Sequence, residues 1–299
     1  MRHEVAAHRK PPGRGAYLIP SLFTMANVFC GYFALTEVFH AGELFSQNIA
    51  LAAMHFDNAA KAIGFAVLFD GIDGRIARLM GTTSPFGMEL DSLADTITFG
   101  IAPAFLALAW GVRAVLPEPL SPFDAHLISA GWILSFIFVI CSAARLARFN
   151  IQSTPGATRP ERQEHKHFVG LPTPAAAGLV AAVVHFNTGT PVAEWMWVPF
   201  WLLLLLATAI LMVSTWRYYS FKDLDLRRQR KFAVVIVVGT IVCLIWFYSH
   251  VVLLLIATSY WLSGVIAKLS HSFRRGRIET PATPPVPQRK VRGPRSEAL

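Results

Sequence analysis

The sequence predicts an all-α integral membrane protein with about eight transmembrane helices. Of its 299 residues, 54% are hydrophobic and only 15% charged, with a mean hydropathy of +0.46. A water-soluble domain carries roughly 25% charged residues, so this composition excludes an ordinary cytosolic globule. Apolar segments near the ~20-residue length of a membrane span recur at roughly 17 to 39, 59 to 80, 88 to 112, 127 to 149, 172 to 189, 195 to 216, 232 to 248 and 250 to 268. The second and third of these are the least regular, because both carry acids.

The first segment has a basic flank, but it is long and no small-residue cleavage pattern follows it. It is therefore expected to stay as an anchor. Lys and Arg collect on the cytoplasmic side of membrane proteins. With eight spans and both termini inside, only Lys61 and Arg113 fall near the outer side. A different count would scatter the basic stretches Arg145 to Lys166 and Arg217 to Lys231 onto opposite faces.

The formal net charge of +9 sits mostly in the tails. Residues 1 to 15 hold four Lys/Arg against Glu4, and residues 272 to 299 hold seven against Glu279 and Glu297. The chain thus divides into a basic cytoplasmic N-terminal segment (1–15), a transmembrane catalytic domain (16–271) and a disordered, basic, Pro-rich tail (272–299). Next to membrane spans, basic tails face an anionic leaflet surface, and no nucleic-acid partner is expected. Cys30, Cys141 and Cys243 lie far apart in apolar runs, which gives no framework for disulfides or zinc and reads as three small buried hydrophobes. No internal repeat is present.

The chemistry concentrates in residues 69 to 100, FDGIDGRIARLMGTTSPFGMELDSLADTITFG. Carboxylates within a span are costly, so each requires a partner or a function. Asp70, Asp73, Gly74, Ala77 and Arg78 follow i, i+3, i+4, i+7, i+8 and share one helix face. Gly87, Asp91 and Asp95 are spaced by four on the next helix. The short link GTTSP makes the two helices antiparallel neighbours, so four carboxylates converge at their cytoplasmic end.

Arg75 and Arg78 cannot neutralise four carboxylates. Oxygen donors without His or Cys select Mg²⁺, Mn²⁺ or Ca²⁺ over zinc. Two such ions would balance the charge and form the clamp used in phosphoryl displacement. Gly74, Ala77 and Gly87 leave room for a diphosphate that Arg78 can hold. Two other readings stand beside this one. A structural salt-bridge cluster would not need the glycines on the same stripe. An ion or proton transporter also buries carboxylates, but it usually repeats its site in both halves, and residues 226 to 278 contain no acid.

Asp70, Asp73, Gly74, Ala77, Arg78, Gly87, Asp91 and Asp95 match the pattern D-x2-D-G-x2-A-R-x8-G-x3-D-x3-D. The chain thereby resembles the CDP-alcohol phosphatidyltransferases. Eight fixed positions give a chance match on the order of 10⁻¹⁰ per starting point. The resemblance implies that family's fold and an alcohol attacking the lipid-proximal phosphorus of a CDP-linked lipid, with CMP leaving. It implies Asp70 and Asp91 as ligands shared by two metals, Mg²⁺ or Mn²⁺, with Asp73 completing one site and Asp95 the other. It also makes Asp95 the base for the attacking hydroxyl. Gly74, Ala77, Arg78, Ser84 and Gly87 fall to the CDP-lipid, as do Pro20, Ser21 and Thr24 in the first span. Ser21 departs from the Asn that usually follows the proline there.

IPSLFTMANVFCGYFA, SAARLARFN and FVGLPTPAAA, with the 69 to 104 block, are similar to the multispanning bacterial phosphatidylserine synthases. That similarity implies CDP-diacylglycerol and L-serine as substrates, a homodimer, and the bacterial inner membrane. Arg145 and Arg148, three apart at the inner end of the fourth span, could hold the serine carboxylate, with Asn150 as a further polar contact. The alternative reading makes them positive-inside flanks or ligands of a lipid phosphate. Glu161, Glu164, His165 and His167 in ERQEHKH offer metal-ligating groups but read first as a solvated loop, and Trp195, Trp197 and Trp201 read as an interfacial belt.

Overall fold

Residues 18–44 carry no charge except Glu37 and Glu43, and no further proline follows Pro20. They form one unbroken helix. A computed structural model of the chain describes residues 18–80, 85–116, 121–153, 167–192, 194–219 and 231–275. Its elements in chain order are α1 (Leu18–Leu44), α2 (Ile49–Met80), α3 (Pro85–Asp95), α4 (Ala102–Leu108), α5 (Pro122–Ser153), β1 (His167–Val169), α6 (Thr173–Phe186), α7 (Val198–Val213), β2 (Arg217–Tyr219) and α8 (Lys231–Arg275). Two π-helical stretches, Thr96–Ile101 and Ala109–Arg113, join α3 and α4 into one run that ends at Arg113.

The all-α membrane architecture is as the sequence predicts. Among the described residues, five helical stretches are long and apolar enough to cross a bilayer: Leu22–Leu44, Phe86–Arg113, Pro122–Ile151, Trp195–Val213 and Val242–Lys268. α2 is long, but its charges keep it outside that group. α6 is apolar but has only 14 residues, about 21 Å of helix. The last two predicted spans lie on a single helix, α8, whose backbone leaves helical geometry at Tyr248 (φ −133°, ψ 39°), where the sequence places their junction.

The packing follows from the absence of a hydrophobic driving force in lipid. Helices there associate through small residues that let backbones approach. α1 lies along α2, and Ala34 and Ala41 of the first and Ala52, Ala59 and Ala66 of the second are all completely buried. Large apolar side chains such as Leu22, Phe29, Phe39, Trp132 and Phe136 point outward. The cysteines depart from the sequence reading, since Cys30 and Cys141 are only partly buried and Cys243 is exposed. As apolar residues they suit lipid as well as a core.

Trp195 and Trp197 are exposed, as a belt requires, but Trp201 is a core residue. Its indole N–H donates to the Ala107 carbonyl (3.0 Å), and its ring meets Trp110 edge-on. The close approach requires Gly111, where a side chain would overlap the Trp201 ring. At the end of α2 away from Asp70, a polar knot ties α2, α6 and α8 together. His185 bridges Asp57 (2.6 Å) and Ser249 (3.0 Å), while Lys61 pairs with Asp57 (2.7 Å). At the other end of the bundle, β1 and β2 pair antiparallel, Phe168 opposite Tyr218. This short ribbon buries Tyr218 against Gly264 of α8.

Candidate active site

Asp70 comes from the last third of α2, and Asp91 and Asp95 from consecutive turns of α3. Their carboxylate oxygens lie within 4.8 Å of one another. Asp95 is buried, and Asp70 and Asp91 are half-buried. The predicted convergence of the two helices is therefore present for three of the four acids. The side chains of Pro20, Ser21, Asp73, Gly74, Ala77 and Arg78, and the whole of Ser84, lie outside the described residues, as does the ERQEHKH loop up to Lys166. Thr24 is buried on α1, and Gly87 is exposed at the start of α3.

Asp95 is held from α1. The Asn27 side-chain amide donates to Asp95 Oδ1 at 3.1 Å in a buried contact. The Asn27 carbonyl accepts from Thr98 Oγ1 at 3.0 Å. Thr98 reaches α1 from the π-helical stretch that begins immediately after Asp95. Gly31, one turn beyond Asn27, is the residue that permits this approach, because a Cβ there would collide with Thr98. A π-bulge places one extra residue in a turn, and such bulges concentrate at functional sites. Here it begins immediately after Asp95, and Asn27 takes a contact from each side of that boundary, its side chain to Asp95 and its carbonyl to Thr98.

α5 supplies the flank. Arg145 donates from Nη1 to Thr173 Oγ1 (2.8 Å) and lies within electrostatic reach of Tyr260, Asp95 and Asp70. Its Nε is buried and makes no hydrogen bond. Asn150 Nδ2 donates to Ser92 Oγ (2.9 Å), one turn before Asp95. Arg148 is exposed. The structure thus draws Arg145 and Asn150 toward the aspartates and leaves Arg148 on the surface. Tyr260 of α8 stands between Arg145 and the ribbon. Burial, with Tyr260 alongside, pushes the Tyr218 phenol up to about 12.

Sequence reasoning missed Asn27, Thr173 and Tyr260. The signal for Asn27 was available: an amide in an apolar span is costly, and it lies three residues after Thr24 and four before Gly31, on one helix face.

The donor set suits a hard cation. Among the described residues the cluster offers carboxylate oxygens from three acids. Asp91 Oδ1 is buried and accepts no hydrogen bond, and Asn27 Oδ1 is in the same condition. A buried carboxylate oxygen left without a donor is expensive, and a divalent cation would satisfy it. The cluster could therefore hold such an ion.

Residues 17–194 match the CDP-alcohol phosphatidyltransferase family. The chain belongs to that family. Its site then coincides with the matched region of the CDP-alcohol phosphatidyltransferases, which takes in Asn27, Asp70, Asp91, Asp95, Arg145 and Thr173. The chain is also similar to the CDP-diacylglycerol-serine O-phosphatidyltransferase of Helicobacter pylori, at 35% identity over 212 residues, 69% of this chain and 73% of that one. The protein of the same name from Mycobacterium bovis is 33% identical over 213 residues, 69% of this chain and 63% of that one. That of Saccharomyces cerevisiae is 35% identical over 162 residues, 54% and 51% of the two chains.

Proposed function

We propose that this membrane enzyme transfers the phosphatidyl group of CDP-diacylglycerol to the hydroxyl of L-serine, giving phosphatidylserine and CMP. The observation that carries the reading is the convergence of Asp70, Asp91 and Asp95, with Asp95 fixed by Asn27. The identities with three serine O-phosphatidyltransferases support the acceptor.

In the reaction the serine oxygen bonds to the lipid-proximal phosphorus as the bond to the CMP oxygen breaks. Asp70, Asp73, Asp91 and Asp95 would hold a pair of Mg²⁺ or Mn²⁺ ions, which would supply charge neutralisation at the diphosphate. Asp95 accepts the serine hydroxyl proton, and the Asn27 amide holds its other oxygen so that the accepting one stays in place. Gly74, Ala77, Arg78, Ser84 and Gly87 take the nucleotide and diphosphate, together with Pro20, Ser21 and Thr24 on α1. Arg145 anchors the serine carboxylate through the guanidinium edge that carries its unpartnered Nε, and Asn150 adds a polar contact. Arg148 contributes positive potential at the mouth. The enzyme works as a homodimer in the bacterial inner membrane with both termini cytoplasmic, and its catalytic body is residues 16–271.

The test is incorporation of labelled L-serine into lipid by purified protein, dependent on CDP-diacylglycerol and matched by CMP release. Labelling by glycerol phosphate, inositol phosphate or choline but not by serine would overturn the acceptor. Full activity in excess chelator would overturn the metal.

A further inference from the structure

A second cluster of metal-ligating side chains lies at the opposite end of the α1–α2 pair. Glu37 and His40, three apart on α1, share a face, and His55 of α2 meets them. One ligand atom from each lies within 4.8 Å of the other two. His55 is 15 residues before Asp70 on the same helix, about 22 Å along its axis. The transferase site does not use this cluster.

Glu37 is 8% exposed, so its carboxylate needs compensation. His55 Nδ1 lies 2.9 Å from Glu37 Oε2, and Asn58 Nδ2 donates to the same oxygen at 3.1 Å. Those two contacts account for His55 and Asn58 as partners of a buried acid. They do not account for His40, which is exposed yet places its ring edge-on to His55, with centroids 5.6 Å apart. Two imidazoles and one carboxylate are a borderline donor set, the kind that holds zinc with an open fourth position. The exposure of His40 gives an entry path. A carboxylate already oriented by an amide is the usual support for a ligand.

We propose that Glu37, His40 and His55 form a binding site for a Zn²⁺-class divalent cation, separate from the oxygen-only aspartate cluster. Occupancy fastens α1 to α2 beside their connecting turn. The site takes an ion that the aspartates select against, so the two can be loaded independently.

The test uses the purified full chain in detergent, stripped of metal and then given excess Mg²⁺ to fill the aspartate cluster. Co²⁺ is titrated as the visible probe, and Zn²⁺ is used to displace it. The expected result is a ligand-field band of low-coordinate, nitrogen-bound Co²⁺ that saturates at one equivalent, survives in Asp91→Asn and is lost in His40→Gln. His40 is exposed, so that variant folds, and unchanged serine transfer confirms it. Asn58→Ala weakens Co²⁺ about 10- to 100-fold. Absence of the band in the wild-type chain overturns the proposal. So does a band that persists in His40→Gln, or one that disappears only in His165→Gln/His167→Gln.

Discussion

Replacing Asn27 with Ala isolates how much rate depends on holding Asp95 rather than on having it. The variant removes the amide that donates to Asp95 Oδ1 at 3.1 Å but keeps the backbone carbonyl that accepts from Thr98. A hydrogen bond to a charged acceptor contributes about 1.5–3 kcal/mol. If it is made fully in the transition state, its loss lowers kcat by roughly 10- to 150-fold, since about 1.4 kcal/mol is a factor of ten. Stability should fall by less, because the variant also removes Asn27 Oδ1, a buried acceptor without a donor. The assay is steady-state serine transfer in mixed micelles, with CDP-diacylglycerol and serine varied separately and a thermal midpoint in parallel. A kcat within about twofold of wild type would refute the positioning role. A kcat loss that only tracks lost fold would refute it equally.

Asp95→Asn should leave CDP-lipid binding partly intact while turnover falls about 10²- to 10⁴-fold, the range for a lost general base, as single-turnover kinetics would show. Arg145→Ala should raise the KM for serine more than that for CDP-diacylglycerol, and Arg148→Ala should change both by less; equal effects on the two substrates would remove Arg145 from the carboxylate. Gly189 has φ +72°, and a Cβ there would strike the Ala53 carbonyl, so Gly189→Ala should lower the thermal midpoint. The left-handed backbone alone costs roughly 1–2 kcal/mol, whereas Gly178→Ala, which meets nothing, is the matched control.

The membrane class, the pairing of α2 with α3 and the convergence of Asp70, Asp91 and Asp95 were legible because each rests on local periodicity. Helical spacing puts the two α3 acids on one face whatever surrounds them. The role of α1 was not legible to the same degree. Asn27 meets Asp95 across 68 positions of chain, and no local pattern encodes that register. Trp201 read as belt because its neighbours Trp195 and Trp197 are belt. Its burial depends on the gap left by Gly111, 90 residues earlier. Arg145 and Arg148 looked equivalent at a spacing of three, which separates them by about 60° around α5, and only the packing of α6 decides which one is covered.

The π-helical stretch after Asp95 explains how one helix serves two partners. In a regular α-helix each residue turns the chain by about 100°, so one extra residue in a turn shifts everything beyond it by about that angle. α3 must aim Asp91 and Asp95 at Asp70, while the following turns must present Thr98 to α1 and buried Ala102, Leu106 and Ala107 to the core. Without the bulge, the residues beyond it would keep the phase of α3, and Ala102, Leu106 and Ala107 would turn by about 100° away from the core. Thr96, whose hydroxyl donates back to the Ser92 carbonyl at 2.8 Å, occupies an acceptor at the start of the bulge. The first stretch of irregular hydrogen bonding therefore begins where the chain changes partners, immediately beyond the proposed base.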